Sequence, residues 1–210
     1  MTPFPLILSA PSGGGKTTIA KRLLAGRSDV GYSVSCTTRA ARDGELHGRD
    51  YYFLSPEQFH EARERGEFAE WAEVHGWMYG TLRAEVQRVL GSGKHVVMDI
   101  DVQGARLFAR AFPEAVLVFV LPPSAEVLIE RLTARQSESR QQLLVRMRNA
   151  LEELDAVDQY EYVIVNDDLD DAVRNVSAVI DAEATRRVRN PELASRVGGI
   201  VSVLQRETGS

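Results

Sequence analysis

Short apolar segments along the chain are each followed by a polar or small-residue turn and then by a helical pattern. The apolar segments are Leu6–Ser9, Val96–Asp99, Val116–Leu121 and Tyr162–Val165. The helical patterns cover Lys16–Ala25, Ser124–Arg135, about Gln141–Val157 and the stretch from Leu169 to Ile180. Continuous apolar runs of this length are typical of strands buried on both faces. Their alternation with helices predicts an α/β fold with a parallel sheet.

Residues 32–91 interrupt this rhythm. They are richer in Gly, Arg, Glu and aromatic residues, and apolar and polar residues alternate over Asp50–Leu54 and Phe68–Val74. Between these two segments, Ser55 and Gln58 have the spacing of a capping box, with Pro56 at the first helical position. We therefore predict a mixed insert that projects from the α/β core and contains a short helix.

The composition is that of a globular protein: 210 residues, 44% hydrophobic and 26% charged, with a net charge of −5. It excludes collagen-like, disordered and disulfide-scaffold proteins, and it gives no basic field for nucleic acid. Cys36 is the only cysteine, the N-terminus lacks a signal peptide, and the longest apolar run, Ala115–Leu121, is too short to span a bilayer. We expect a cytoplasmic protein with neither nucleic acid nor membrane as a partner.

A glycine-rich loop follows the first predicted strand. The segment Ala10–Thr18 reads APSGGGKTT and matches the Walker A spacing, except that Ala10 stands at the first glycine. Three glycines allow backbone N–H groups to surround a phosphate at the helix N-terminus. The residues predicted to bind ATP in this loop are Ser12, Gly13, Gly14, Gly15, Lys16, Thr17 and Thr18. In this role Lys16 reaches the β- and γ-phosphates, and the Thr17 hydroxyl meets Mg²⁺; the alternative is a glycine-rich turn with an incidental lysine.

Asp99 ends the second apolar segment, where a Walker B carboxylate would lie near the metal. An aspartate at the end of a strand is also a common turn residue. Beside a P-loop, Asp99 and Thr17 together predict a site for Mg²⁺ bound with ATP, directly or through water.

The segment Ser33–Phe53 reads SVSCTTRAARDGELHGRDYYF. Further along the chain come EWAEVHGWMYGT (residues 70–81), DIDVQG (99–104) and VND (165–167). With the P-loop, these motifs in this order resemble the guanylate kinase family, which transfers the γ-phosphoryl group of ATP to GMP. The resemblance spans residues 6 to about 187, nearly the whole chain.

The resemblance implies a set of GMP-binding residues. They are Ser35, Arg39, Arg42, Glu45, Tyr51, Glu70, Tyr79, Thr81 and Asp101. Arg39 and Arg42, with the two tyrosines, would grip the phosphate, and Glu45 would support the arginines. Ser35, Glu70, Thr81 and Asp101 would recognise guanine, whose N1–H and N2 amino donors suit a carboxylate.

Each of these residues also has an ordinary structural role open to it. Thr81 could cap the helix predicted over Leu82–Leu90, and Glu70 could lie on a solvated strand edge. Of Tyr51 and Tyr52, which alternate along a strand, one is expected only to pack.

Of the 25 basic residues only Lys16, Lys21 and Lys94 are lysines, so 22 are arginines, and several arginines cluster between residues 131 and 148. Such a cluster is often a solvated helix face. The resemblance instead implies a lid in which Arg131, Arg135 and Arg146 close over the phosphates and act in catalysis, and in which Gln136 stands where the family usually has glycine. It also places Asn166 at the adenine end of ATP, although a strand-end asparagine is also a common turn residue.

With the resemblance, the expected fold is a three-layer P-loop kinase with a parallel sheet core, a mixed α+β nucleoside-monophosphate-binding insert and a helical lid. The core would comprise residues 1–31 and 92–189, with the lid at about 131–146. The insert would comprise 32–91, and the tail 190–210 has no assigned role. ATP, GMP and dGMP are the expected small-molecule partners, and no obligate protein partner is predicted.

Three other functions are less consistent with these residues. A non-catalytic module of similar fold would lack the P-loop lysine and the lid arginines, whereas Lys16, Arg131 and Arg146 are present. A P-loop GTPase would need an N-K-x-D motif, and no Asn in the chain precedes a Lys. Another small-molecule kinase would replace the residues that recognise guanine.

Overall fold

The computed structural model describes residues 1–74, 76–133 and 140–208. In chain order, the strands are β1 (Pro5–Ser9), β2 (Val30–Tyr32), β3 (Cys36–Thr37), β4 (Tyr52–Phe53), β5 (Phe68–Val74), β6 (Trp77–Leu82), β7 (His95–Asp99), β8 (Val116–Leu121) and β9 (Tyr162–Val165). The α-helices are α1 (Lys16–Gly26), α2 (Pro56–Glu64), α3 (Arg83–Gly91), α4 (Val102–Ala111), α5 (Ala125–Thr133), α6 (Arg140–Leu154), α7 (Leu169–Ala184) and α8 (Leu193–Thr208).

The core is a parallel sheet with strand order β2-β7-β1-β8-β9. The predicted apolar segments form β1, β7, β8 and β9, which confirms the α/β prediction. The expectation that Tyr162–Val165 is buried on both faces is wrong, because β9 lies at the edge of the sheet and exposes Val163 and Val165. Strand β2, at one edge, was not predicted, because three residues are too few to show a hydrophobic pattern. The carboxyl ends of these parallel strands meet at one edge of the sheet, where ligands bind in such folds.

Helices cover both faces of this sheet. Leu6 and Leu8 of β1 point to one face and pack with residues of α1 and α7. Ile7, between them, points to the opposite face and packs with residues of α3 and α4. This alternation along a single strand gives the three layers that were expected.

Residues 36–82 contribute a second, mixed sheet with strand order β4-β3-β6-β5. Its small core contains Cys36, Phe59 and Phe68. The capping box predicted at Ser55 and Gln58 is present at the start of α2. The strand predicted over Asp50–Leu54 is shorter than expected and comprises only Tyr52 and Phe53. The residues before it form a turned loop in which Asp50 Oδ2 accepts from the Leu46 N–H and His47 Nδ1 accepts from the Phe53 N–H.

Two elements of the predicted lid pack on each other. Leu128 and Leu132 of α5 meet Ala150 of α6 in a separate apolar cluster. The helix predicted over Ser124–Arg135 is described as far as Thr133. Arg135 and Gln136 lie outside the described residues. After α7, helix α8 contains no buried residue. Among the described residues, no helix combines the length and apolar character needed to span a bilayer.

Candidate active site

The glycine-rich loop joins β1 to α1 in a tight turn. The Gly14 N–H donates to the Pro11 carbonyl at 2.7 Å. A side chain at Gly14 would come within 2.7 Å of the Ala10 Cβ and 2.9 Å of the Pro11 carbonyl oxygen. An alanine therefore fits at position 10, where the motif usually has its first glycine, because the neighbouring Gly14 has no side chain.

The end of the loop is held from β9. Gly15, at a φ of 95°, is the N-cap of α1, a left-handed conformation that favours glycine. The buried Asn166 side chain donates to the Gly14 carbonyl at 2.9 Å, and a Cβ at Gly15 would lie 2.3 Å from the Asn166 Nδ2. The Thr18 N–H donates to the Gly15 carbonyl at 3.1 Å, whereas the N–H groups of Lys16 and Thr17 precede the first intrahelical hydrogen bond and suit an anion.

Asp99 lies beside this turn at the end of β7. The Thr17 hydroxyl donates to Oδ2 of Asp99, and the Tyr32 hydroxyl donates to Oδ1 at 2.5 Å. Burial, and then the charge of Asp99, raise the pKa of Tyr32 above its usual range. The phenol therefore stays protonated and is the donor of this hydrogen bond. Tyr32 was missed by sequence analysis, since nothing local marks an aromatic residue at the end of a short strand.

Two of the residues predicted to bind ATP and five of those predicted to bind GMP line a common cavity. Arg39, Arg42, Glu45 and Thr81 are not among its lining residues. Its lining includes Lys16, Thr17, Ser35, Tyr51, Glu70, Tyr79, Asp99 and Asp101, with Ala72, Val74, Gly80 and Ile100 between them. These residues are supplied by the P-loop, by the mixed sheet and by the β7–α4 turn. The cavity lies where the parallel sheet meets the mixed sheet.

Glu70, on β5, is the buried carboxyl group of this cavity. The Thr81 hydroxyl donates to Oε1 of Glu70 at 2.7 Å. Burial is the main cause that raises the pKa of Glu70 to about 7, the charge of Asp101 adds to it, and the Thr81 hydrogen bond opposes it. Thr81 is not the N-cap of the following helix: that position is Leu82, which makes no capping hydrogen bond from its side chain. The hydroxyl of Thr81 is committed instead to the carboxylate across the β5–β6 pair.

Asp101 and Ser35 flank Glu70. Asp101 is the N-cap of α4, and its Oδ1 accepts from the N–H groups of Gln103 and Gly104 at 2.8 and 2.9 Å. A Cβ at Gly104 would lie 3.0 Å from Oε2 of Glu70, so α4 begins close to that carboxylate. The Ser35 backbone carbonyl accepts from the Tyr52 N–H at 2.9 Å, and Ser35 also lines the cavity.

Arg39 and Glu45 form an ion pair beside Tyr51, which lines the cavity. Glu45 accepts from Arg39 Nη2 at 2.9 Å and from the Arg42 backbone N–H at 2.8 Å. Although burial opposes it, these hydrogen bonds lower the pKa of Glu45. Glu45 therefore contacts both arginines, Arg39 through its guanidinium and Arg42 through its backbone N–H; its part in binding GMP stays a prediction.

An aromatic pair links this ion pair to the cavity. The Arg39 guanidinium lies 5.5 Å from the centre of the Tyr51 ring, which packs edge-on to Tyr79 at 6.1 Å. The Nε of Arg39 is buried without a hydrogen-bond partner, a donor that an incoming anion could satisfy. Tyr52, by contrast, packs in the apolar core of the mixed sheet, which confirms that one of the two tyrosines only packs.

The described lid arginines reach the P-loop from α5 and α6. Arg131 donates to the Asn166 carbonyl at 3.1 Å, and its Nη1 is buried without a partner. Arg146 contacts the Ser12 hydroxyl at 3.2 Å through Nη2. Glu153, which sequence analysis missed, accepts from the Ser12 backbone N–H at 2.8 Å.

The oxygen groups beside the P-loop suit a hard divalent cation. Mg²⁺ prefers carboxylate, hydroxyl, water and phosphate oxygens, and it takes only one or two ligands from a protein when a nucleotide supplies the rest. Thr17 and Asp99 provide such oxygens in contact with each other. In the part of the chain that the structure describes, no group of three or more His, Cys, Asp or Glu residues is arranged to hold a metal ion.

Comparison with known proteins gives consistent matches over nearly the whole chain. A protein-family model described as guanylate kinase matches residues 2–183. A guanylate kinase of Thermotoga maritima is 44% identical over 190 residues, which are 90% of this chain and 92% of that protein. One from Symbiobacterium thermophilum is 47% identical over 185 residues, 88% of each chain.

A solved structure agrees with these sequence matches. The crystal structure of guanylate kinase from Anaplasma phagocytophilum superimposes with a TM-score of 0.74 at 35% identity, covering 90% of this chain and 89% of that one. The agreement in fold therefore extends over most of the chain.

Proposed function

The chain belongs to the guanylate kinase family and is a nucleoside monophosphate kinase, and we propose that the cavity between the P-loop and β5 is where it transfers phosphate. ATP and GMP react to give ADP and GDP. The observation that carries this assignment is the common cavity, because Lys16 and Thr17 line it together with Glu70 and Asp101. Groups suited to a triphosphate and groups suited to a guanine base thus face the same space.

In this proposal, the guanine base lies against Glu70. The ionised carboxylate accepts hydrogen bonds from the N1–H and N2 amino group, while Thr81 holds Oε1 in place. Ser35 and Asp101 complete the polar lining. AMP lacks this pair of donors and would leave the buried carboxylate unpaired, which is costly in a site that excludes water.

The GMP phosphate lies toward Arg39 and Arg42, with the hydroxyls of Tyr51 and Tyr79. Two guanidinium groups and two phenols can satisfy the oxygens of a dianion. The hydrogen bond to Glu45 orients the Arg39 guanidinium before the phosphate arrives. The Nε of Arg39, which has no partner, is a donor left for the phosphate.

The reaction is an in-line displacement: an oxygen of the GMP phosphate forms a bond to the γ-phosphorus, and the bond to the ADP oxygen breaks. Charge spreads over the transferring group, so nearby cations stabilise the transition state. We assign this role to Lys16, Arg131 and Arg146, and also to Arg135, which lies outside the described residues. Asn166 positions the P-loop through Gly14; its predicted contact with adenine remains a prediction.

Thr17 and Asp99 are the residues that would hold Mg²⁺ with the nucleotide. The ion would supply charge neutralisation at the β- and γ-phosphates. The nucleophile is a phosphate oxygen that is already anionic, so no side chain has to act as a general base.

A coupled assay of ADP release tests this function. With ATP and Mg²⁺, we expect turnover with GMP and with dGMP, and kcat/KM values for AMP, CMP and UMP lower by about three orders of magnitude or more. Equal rates with AMP and GMP would contradict the assignment of Glu70 to guanine. ADP release that does not depend on any monophosphate would show an ATPase instead.

Arg42 provides a test of the phosphate end. Arg42→Ala is expected to raise the KM for GMP roughly 10- to 100-fold, as for loss of one charge-assisted hydrogen bond, with the KM for ATP nearly unchanged. Arg65→Ala is the control, because Arg65 is an exposed arginine beside the same mixed sheet, and its ion pairs are with Glu61 and Glu67. A larger change in the KM for ATP than for GMP would overturn the assignment of Arg42.

We also propose a reducing, cytoplasmic compartment. The basis is the single cysteine, Cys36, whose thiol is buried and whose pKa burial raises to about 12. Such a thiol is unreactive and needs no oxidising partner.

A further inference from the structure

Asp99 receives a hydrogen bond on each of its two carboxylate oxygens, from two different elements. Thr17, at the start of α1, donates to Oδ2, and Tyr32, the last residue of β2, donates to Oδ1 at 2.5 Å. The bond from Thr17 belongs to the nucleotide site described above. The bond from Tyr32 belongs to no part of the family motifs quoted from the sequence.

Strand register explains how Tyr32 reaches Asp99. Tyr32 pairs with Val97 in the parallel β2–β7 ladder, and Asp99 lies two residues beyond Val97. Residues in register, and alternate residues along a strand, share one face of a sheet. Tyr32, Val97 and Asp99 therefore lie on the face covered by α1, and the length of a tyrosine side chain bridges the two-residue offset.

The orientation of the carboxylate depends on such partners. The terminal torsion of an aspartate is broad and roughly two-fold, so rotamer preference alone does not fix the plane of the oxygens. Thr17 fixes one oxygen, but its hydroxyl is also the group expected to meet the metal. A second donor that does not bind the metal can hold the plane of the Asp99 carboxylate whether or not nucleotide is bound.

We propose that Tyr32 is a positioning residue for Asp99 and sets the orientation in which that carboxylate faces the cation bound with ATP. The proposal rests on the role assigned to Asp99 in the proposed function. Tyr32 acts through Asp99 and does not contact the reacting phosphates.

Tyr32→Phe removes the hydroxyl and keeps the ring. We expect the Mg²⁺ concentration for half-maximal rate, at saturating ATP and GMP, to rise roughly 10- to 100-fold, as for loss of a hydrogen bond to a charged group. The KM for GMP stays within twofold of the wild-type value. Calorimetric titration with the Mg²⁺ complex of a non-hydrolysable ATP analogue, without GMP, should show a similar loss of affinity without any turnover.

Tyr162→Phe is the matched control. The Tyr162 hydroxyl also donates to a carboxylate, Oε1 of Glu183, at 2.7 Å, but this pair joins β9 to α7 away from the cavity. Its loss should leave the Mg²⁺ dependence and the affinity for the analogue unchanged. If Tyr32→Phe behaves like this control, or lowers only the melting temperature, the positioning role of Tyr32 is wrong.

Asp99→Asn and the double variant Tyr32→Phe/Asp99→Asn complete the test. A residue that acts only through Asp99 adds nothing once Asp99 is altered, so the double variant should match Asp99→Asn. Additive defects would overturn the proposal. A normal Mg²⁺ dependence in Asp99→Asn would overturn it as well, because the metal role of Asp99 would then fail; GMP phosphorylation by the wild type would still stand.

Discussion

Replacing Lys16 with alanine is expected to lower kcat about a thousandfold, with a much smaller change in the KM for GMP. A thousandfold loss corresponds to about 4 kcal/mol of transition-state stabilisation, the size found when one preorganised donor to a developing charge is removed. Lys16 begins α1 and lines the common cavity. Its charge is therefore directed at the place where the phosphates of ATP are proposed to lie.

The loss should appear mainly in kcat because the transferring group spreads its charge over equatorial oxygens as the bond to ADP breaks. A lysine that only anchored ATP would raise the KM for ATP and leave kcat intact. Single-turnover measurements of ADP formation at saturating ATP separate these two cases.

Lys21→Ala is the control for this experiment, because Lys21 lies on the same helix and is exposed to solvent. It makes the same change in net charge but should retain full activity. If Lys16→Ala retained a wild-type rate while its fold was intact by circular dichroism, the loop would not be the triphosphate site.

The P-loop and the parallel sheet could be predicted because their determinants are local. Each buried strand is a continuous apolar run, and the loop consists of consecutive residues whose glycines permit one backbone path. Even its departure from the motif has a local cause: the side chain of Ala10 fits because Gly14 has none.

The contacts that tune the site could not be predicted in the same way. The bond from Tyr32 to Asp99 depends on the register of β2 against β7, and β2 is too short to show a pattern. Glu153 reaches Ser12 only because α6 packs across the P-loop. From the sequence, Thr81 could either cap the following helix or contact Glu70. The β5–β6 pairing places it opposite Glu70, and the helix begins one residue later than the cap at Thr81 would require.

Replacing Glu70 with glutamine is expected to lower kcat/KM for GMP by a factor of about 100 to 1000, chiefly through the KM. Removing the charge from a buried, hydrogen-bonded carboxylate typically costs about 2–5 kcal/mol of binding. Glutamine keeps the size of the side chain, but its amide NH2 is a donor and would face the N1–H and N2 amino donors of guanine. Glu73→Gln is the control, since Glu73 lies on the same strand but is exposed to solvent.

The pH dependence distinguishes this role from a purely structural one. The pKa of Glu70 in the free protein is raised to about 7, chiefly by burial, and guanine requires the ionised form. Below pH 7 the carboxyl group takes up a proton, so the KM for GMP should rise up to tenfold per pH unit as pH falls; above pH 7 it should be level.

Protonation of the GMP phosphate adds a separate step near pH 6. Because Glu70→Gln has no group to titrate, its KM for GMP should show only the phosphate step, and the wild type should show both. If the KM profiles of the two proteins were parallel, Glu70 would not be the group that binds guanine. A raised pKa at this position also means that GMP, by binding the anion, releases a proton from the enzyme near neutral pH. The proton release measured with a pH indicator during titration with GMP should therefore fall in Glu70→Gln to the contribution of the phosphate alone and be retained in full in Glu73→Gln.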